Sequence, residues 1–229
     1  MTNYTQWKSL VDLHEYSAIP DSPIGQNTIA YYSFDDDADT TTLSDQVGTF
    51  DGTISGMSYV TDEDAGRVVG EFDGDDDEVV SMGIPSLSAY SVGIIVKPLN
   101  VSDWDDFDTV FSFRDNNTFE VHGRPDNGNF EYVLFHGGED NNELISSQLV
   151  ENELQTVVLR WDGSTINFSV DSENAVSTSE SSMDNADEAD GFGANQQFTP
   201  RFANMRLVHF EISDEDEGQS FEDDFHNLI

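Results

Sequence analysis

The stretch from Leu154 to Asp171, LQTVVLRWDGSTINFSVD, narrows the folds open to this chain more than any other. It reads as two β-strands joined at Asp162-Gly163, a dipeptide favoured in two-residue type I′ turns, where both central residues need positive φ. With that pair as the loop, Leu159 is set opposite Ile166 and Val157 opposite Phe168, so apolar face meets apolar face. The other face carries Thr156, Val158 and Arg160 on the first strand and Asn167, Ser169 and Asp171 on the second. That pattern predicts a sheet packed on one side only.

The same alternation recurs along the chain. TIAYYSF (28–34), FDGTISGM (50–57), RVVGEF (67–72), EVVSM (78–82) and SVGIIVK (91–97) are expected as central strands of one large antiparallel sheet, with Asp73 to Asp77 a loop between two of them. DTVFSF (108–113), TFEVHG (118–123), FEYVLFH (130–136) and ELISSQLV (143–150) follow, each ended by Asn, Asp or Gly clusters. Residues 172–190 read as a long polar surface loop. In MRLVHFEI (205–212), Met205, Leu207, His209 and Glu211 alternate with Arg206, Val208, Phe210 and Ile212. The one clear helical pattern lies at residues 3–16, where Trp7, Leu10, Val11 and His14 fall at i, i+3, i+4 and i+7 behind Asn3 as a cap. Residues 17–27, with two prolines and a glycine, read as a linker or extended strap. A dozen or so strands and almost no helix favour an all-β fold over any α/β plan. The expectation is an antiparallel two-sheet β-sandwich of jelly-roll type over residues 28–229, preceded by a helical or extended arm at 1–27.

Charge decides the setting in which such a sandwich would work. The 229 residues hold 47 Asp and Glu against 8 Lys and Arg, a formal net charge of −39. Self-repulsion on that scale weakens a compact state, but in about 1 M salt the Debye length falls to roughly 3 Å and most of it disappears. The chain reads as adapted to molar salt, as in an extreme halophile. Its 11% aromatic content and strand periodicity argue against disorder for most of its length. Acid spread over every turn argues against a DNA mimic, and its sign argues against nucleic-acid or anionic-membrane partners. Cysteine is absent, which removes disulfides, thiolate metal sites and cysteine nucleophiles. The first 16 residues show no secretion signal, twin arginine or membrane span. The expectation is a soluble intracellular product, or one that leaves the cell by another route.

The order of motifs AYYSFDDD, FDGTISG, GEFDGDDDEVVSM, SVGIIVKP, LQTVVLRWDGSTINFSVDSENAV, FGANQQF and FANMRLVHFEISDEDE resembles the laminin G-like branch of the concanavalin A-like lectin and glucanase superfamily. The resemblance covers about residues 28 to 216 and implies the same sandwich. Leu154 stands where that family often has an aromatic residue, and Ser172 follows Asp171 where a glycine is usual.

Candidate sites follow from that resemblance and from loop composition. Glucanases of the superfamily carry a strand resembling E-x-D-x-x-E, and the nearest string here is Glu211 to Glu217. Its unbroken acid run from Asp214 lacks the alternation a strand requires, so it reads as a solvated turn, and no catalytic residue is assigned. Calcium binding in related domains points to Asp35 and Asp37 in one acidic loop and Asp73 and Asp75 in another. The second loop fails as an EF-hand, because Glu78 stands where glycine is needed and Ile84 where the bidentate Glu should be. A looser calcium or sodium site stays open, and no other cofactor is required. The five histidines show no ligand spacing and are expected in structural roles. Lectins of this architecture hold sugars with an aromatic platform and polar loop groups. The candidates are Trp104, Asn116, Asn117, Arg124, Asn127 and Asn129, with Asn141 and Asn142 beyond them.

These readings converge on a non-catalytic structural and recognition protein. Laminin G-like domains usually act outside cells, and a virion component released by host lysis reconciles that with the missing export signal. The expected setting is the surface of a haloarchaeal virus, as a turret, capsid decoration or tail-associated protein. Trp7, Leu10 and Val11 would contact other virion or surface proteins or further copies of the chain, making a homo-oligomer, and a host glycan or glycoprotein would be the ligand. Two alternatives stay open. One is a secreted or cell-surface glycosidase or other polysaccharide-active enzyme on the same fold; the other is a cellular adhesion or envelope domain at the surface or in the cytoplasm of a halophilic archaeon.

Overall fold

A computed structural model of the chain describes residues 19–36, 40–75, 78–80, 82–85, 87–104, 108–113, 119–126, 129–136, 142–179, 191–192 and 203–229. Among these residues, alternating apolar side chains fold into two eight-stranded antiparallel sheets. Sheet A runs in the order β14 (Val176–Ser179), β13 (Thr165–Val170), β12 (Gln155–Trp161), β7 (Tyr90–Pro98), β16 (Asn204–Ser213), β5 (Arg67–Asp73) and β4 (Ser58–Asp62). β1 (Thr28–Tyr32) joins the sheet by pairing with the second half of β16. Sheet B runs β11 (Asn142–Gln148), β10 (Asn129–His136), β9 (Phe119–Asp126), β8 (Asp108–Phe113), β15 (Gly191–Phe192), β6 (Glu78–Val80), β3 (Gly52–Ser55) and β2 (Thr42–Leu43). The all-β sandwich expected from the sequence is the fold. Its core joins the sheets through aromatic rings: Phe192 of sheet B lies 4.8 Å from Phe210 of sheet A, with Phe111, Phe34 and Tyr32 around them.

Three expectations are corrected by how the strands pair. The five strands from residue 28 to 97 do not form one sheet, because β1, β5 and β7 belong to sheet A while β3 and β6 belong to sheet B. The chain changes sheets between Asp73 and Glu78. Alternation reports which face of a strand is buried, not which strand lies beside it.

The hairpin register is shifted by two residues, with Leu159 opposite Phe168, Val157 opposite Val170 and Trp161 opposite Ile166. Only Gly163 of the expected turn pair has positive φ (87°). Asp162 instead accepts from Ser164 N at 2.8 Å, Ser164 Oγ at 2.8 Å and Thr165 N at 2.7 Å, a side-chain-capped turn that lengthens the loop. The Ser164 hydroxyl and these amides hold the Asp162 carboxyl below its usual value. A shift of two keeps every residue on its face, so the facing of apolar sides cannot distinguish the registers.

The third correction concerns the last strand. Its pairing with β7 shifts between Leu207 and His209, a bulge that rephases the alternation. Met205, Leu207, Phe210 and Ile212 therefore share the main core, while Val208 belongs to a second cluster on the outer side of sheet A.

That outer side is also covered, so the hairpin packs on both faces. The cover is α1 (Gly218–His226), a helix the sequence reading missed, together with the strap from Ile19 to Asn27. Phe221 and Phe225, spaced i, i+4, join Val69, Ile95, Val158, Val208 and Ile19 in the second cluster. The Phe225 ring sits against Gly93, where an added Cβ would lie 2.3 Å from the ring. Arg160 on β12 fastens the helix through Glu222 Oε2 (2.9 Å), Asp216 Oδ1 (3.2 Å) and Gln219 Oε1 (3.2 Å). The strap is held by Glu211, whose Oε2 accepts from Ile24 N at 2.8 Å, and by Glu217, which accepts from Asn27 N at 2.7 Å. Residues 19–27, grouped with the arm by sequence, thus pack on the sandwich. Trp7, Leu10 and Val11 lie outside the described residues.

Candidate functional site

Among the described residues, one concave feature lies where β13 leaves sheet A beside α1. Here Asp171 and Ser172 both adopt left-handed backbone, with φ of 49° and 62°. The turn closes by Glu173 N donating to Val170 O at 3.0 Å. Two consecutive positive-φ residues are what a type I′ turn needs. The geometry anticipated at Asp162-Gly163 therefore occurs one strand later, in residues that carry side chains.

Left-handed backbone is costly for residues other than glycine and persists only where surrounding contacts enforce it. The contacts are visible. Asp171 Oδ1 accepts from Thr156 N at 2.7 Å and Thr156 Oγ1 at 3.3 Å, and Oδ2 accepts from Gln155 Nε2 at 2.7 Å. Gln155 is itself buried and bridges the sheets, accepting from Tyr132 Oη at 3.2 Å and Val150 N at 2.8 Å.

Between this turn and the helix lies a cleft of about 520 Å³ lined by Ser172, Glu173, Asn174, Gln219, Glu222, Asp223, His226 and Asn227, among others. A second hollow of about 400 Å³ shares Ser172 and His226 with it and adds Leu154, Asp171 and Ile229. Both volumes fall in the range of small-ligand sites. The lining is rich in hydrogen-bonding groups, with apolar surface from Leu154 and Ile229 at one side.

His226, 7% exposed, forms the floor. Its Nδ1 lies 2.5 Å from Thr156 Oγ1 and its Nε2 lies 2.9 Å from Ser169 Oγ. A carboxylate can only accept, so Thr156 gives its hydroxyl proton to Asp171 and accepts from Nδ1–H; Nε2 then accepts from Ser169. Burial pushes the His226 imidazolium below its ordinary value, against the opposing pull of Glu222, Asp171 and Asp223. The Ser169–His226–Thr156–Asp171 chain has the residue types of a nucleophilic relay. Ser169 is 1% exposed, however, and lines neither hollow, so the chain joins helix to sheet instead of presenting a nucleophile.

Of the sugar candidates singled out by sequence, Trp104 alone has a described side chain. Trp104 is 3% exposed; its ring packs on Gly123 and its Nε1 donates to Leu99 O at 2.9 Å. It is a core residue and offers no platform to a sugar. Phe113 pairs with Phe119 at one end of the β8–β9 ladder, and Asp126 pairs with Asn129 at the other end of β9. Seven residue steps separate those ends, roughly 24 Å. Asn116 and Asn117, between Phe113 and Phe119 in the chain, lie outside the described residues, as do Asn127 and Asn141. The side chains of Arg124, Asn129 and Asn142 lie outside them too.

Of the acidic candidates, Asp35 is engaged by Arg67 at 2.7 Å and by the Ser33 hydroxyl, and Asp73 caps Asp75 N at 2.9 Å. Asp37 lies outside the described residues. Among those described, no three His, Asp and Glu side chains are grouped to hold a metal ion. In the string from Glu211, Asp214 and Glu215 are exposed, as a solvated turn requires, while Asp216 and Glu217 tie down Arg160 and the strap.

Sequence reasoning missed the cleft residues Glu173, Asn174, Gln219, Asp223, His226 and Asn227. One signal was present: Ser172 in place of the usual glycine marks a left-handed position held at a cost. The helix also had its pattern, Phe221-Glu222 repeated as Phe225-His226 four residues on, but in a short acidic stretch.

No family model matches the chain, and no curated protein sequence does so. Several solved structures share its fold. Domain 4 of an extracellular GH43 arabinanase from Geobacillus stearothermophilus, in complex with arabinotriose, superposes with a TM-score of 0.66 at 18% identity, covering 88% of this chain and 98% of that one. Trypanosoma rangeli sialidase in complex with sialic acid gives 0.64 at 9% identity, over 93% of this chain and 36% of the sialidase. The botulinum neurotoxin serotype D binding domain gives 0.60 at 14% identity, over 86% of this chain and 52% of that one. This chain therefore spans about a third of the sialidase and half of the toxin fragment. At these identities the likeness shows the β-sandwich fold.

Proposed function

We propose that this chain is a carbohydrate-recognition domain that binds without catalysis, and that its ligand enters the cleft between the 171–175 turn and α1. The observation that carries this reading is the cleft itself: a polar hollow of about 520 Å³ whose turn is held in left-handed backbone by buried side chains. Preorganised polar walls are what a sugar, with hydroxyls in fixed directions, requires of a binding site. Support comes from the arabinanase domain, which matches over 98% of its own length and was solved with arabinotriose bound. A binding role is further supported by the state of two cleft carboxylates. Both oxygens of Asp171 accept hydrogen bonds, and Glu222 is paired with Arg160, which leaves neither free for acid–base work.

The setting we propose is the virion or cell surface of a halophilic system, with residues 1–18 as the arm that reaches a neighbouring subunit. The net charge of −39 supports the salt-adapted setting. Deleting residues 1–18, while keeping the strap, should leave a folded domain that no longer assembles; assembly that survives the deletion would refute the arm.

The cleft is tested by titrating arabinotriose, and then a panel of neutral and sialylated glycans, into the protein in molar salt. Asp223→Asn and Asn174→Ala should weaken any binding by about tenfold each without altering the melting temperature, the scale of one lost hydrogen bond to a charged or polar group. Binding that is indifferent to both substitutions would place the site elsewhere. Release of reducing sugar that Glu173→Gln or Asp223→Asn abolishes would establish the enzyme alternative.

A further inference from the structure

We propose that His226 is the positioning residue of the cleft: its neutral imidazole ties the helix wall to Thr156 and Ser169 of sheet A, and its protonation breaks the tie to Ser169, on the strand that leads into the turn. This inference rests on the recognition reading of the cleft and concerns the control of that same site. One wall is α1, which supplies Gln219, Glu222, Asp223, His226 and Asn227; the other is the turn with Ser172, Glu173 and Asn174. The two meet through the hydrogen-bond chain from Ser169 through His226 and Thr156 to Asp171.

The direction of that chain is set by its last member. A carboxylate can only accept, so the bond from Thr156 Oγ1 to Asp171 Oδ1 uses the one hydroxyl proton and leaves Oγ1 to accept from His226 Nδ1–H. Nε2 is then the acceptor for Ser169. A second proton on the ring places N–H against the Ser169 hydroxyl and forces that hydroxyl to turn. Ser169 is 1% exposed, so the displaced hydrogen has no water to meet. The charged groups around the ring are Glu222 and Asp223 on the helix, Asp171 and Glu173 on the turn, and Arg160, which is spent on Glu222. These carboxylates attract the imidazolium toward the cleft and away from Ser169. Burial opposes its formation, so the charge appears only in acid. Neutral conditions keep both ring bonds, and acid breaks the one to Ser169 while Nδ1–H stays on Thr156.

The test uses the intact chain in molar salt, with no ligand, followed by nuclear magnetic resonance. As pH falls, the amide signals of Ser172 and Glu173 in the turn should move with the same midpoint as the imidazole protons of His226, below 6.5. His226→Gln keeps a polar side chain that does not titrate, and should remove that shared transition while the carboxylates still titrate. Ser169→Ala removes the donor that favours the neutral ring, and should move the His226 midpoint upward; it carries the test if the glutamine variant fails to fold. Turn amides that ignore the His226 titration, or keep the same transition in His226→Gln, would overturn the proposal, and so would an unmoved midpoint in Ser169→Ala. Because no sugar is added, failure of every glycan to bind would overturn the recognition reading and leave this result intact.

Discussion

At the scale of single residues, the acidic composition conceals a few carboxylates with demanding structural duties. Asp62 is fully buried, and its Oδ2 accepts from Lys97 Nζ at 3.0 Å and Arg206 Nη1 at 2.7 Å. Its Oδ1 caps Asp64 N at 2.9 Å and Ala65 N at 3.0 Å. Burial alone would push its carboxyl up, but Arg206, the Ala65 amide and Lys97 together hold it down at about 2, against 3.8 ordinarily. A carboxyl depressed on folding contributes stability that is present above the unfolded value and lost as pH falls toward the folded one. Asp62 should therefore contribute about 2 kcal/mol above pH ~4, and that share should vanish as pH approaches ~2. Asp62→Asn should cost about 3 kcal/mol at neutral pH, because it takes the buried carboxylate from Lys97 and Arg206 and leaves them only Asp64 and Glu71. Urea unfolding of both proteins across that pH range, with curves that fail to converge in acid, would contradict this account. None of it was legible in the sequence. Asp62 is one acid among 47, and only the pairing of β4 with β5 and the nearness of β7 and β16 bring two cations to it.

Among elements, the decisive one is a nine-residue helix that the alternation pattern did not reveal. Strand periodicity is strong over long runs, whereas GQSFEDDFH offers only two apolar residues and competes with an acidic turn signal. The helix is stabilised by what it covers rather than by its own propensity. Phe225 lies flat on Gly93, and a methyl group there would force the ring outward. Gly93→Ala should destabilise the domain by about 1–3 kcal/mol, the usual range for overpacking. It should also expose the amides of α1 to hydrogen exchange before those of β7. Equal protection of both in the variant would mean that the helix does not depend on this contact. The hairpin tells the complementary story: its strands and its faces were readable, but its register was not, because a two-residue slip leaves faces unchanged.

Across the whole molecule, charge and fold are separate problems solved by different parts of the chain. The four basic side chains that the structure describes, Arg67, Lys97, Arg160 and Arg206, all form ion pairs with carboxylates. Most of the surface acid has no basic residue to match it, with 47 Asp and Glu against 8 Lys and Arg in the chain. Raising the Debye length from roughly 3 Å at 1 M to about 10 Å at 0.1 M restores the repulsion between those groups. The melting temperature should fall steeply over that interval, and a flat profile in a salt titration would remove the case for adaptation to molar salt. What the sequence determined by itself was the class of fold, its antiparallel strands and its unusual charge, because alternation and composition are local or summed properties of the chain. Only the tertiary structure decided which strands share a sheet, that both faces of sheet A are covered, and that Ser169, His226, Thr156 and Asp171 meet. Those outcomes depend on contacts between residues far apart in the chain, 70 positions in the bond from Thr156 to His226 and 190 in that from Asn27 to Glu217, and no local pattern encodes which distant side chains a closed sandwich brings together.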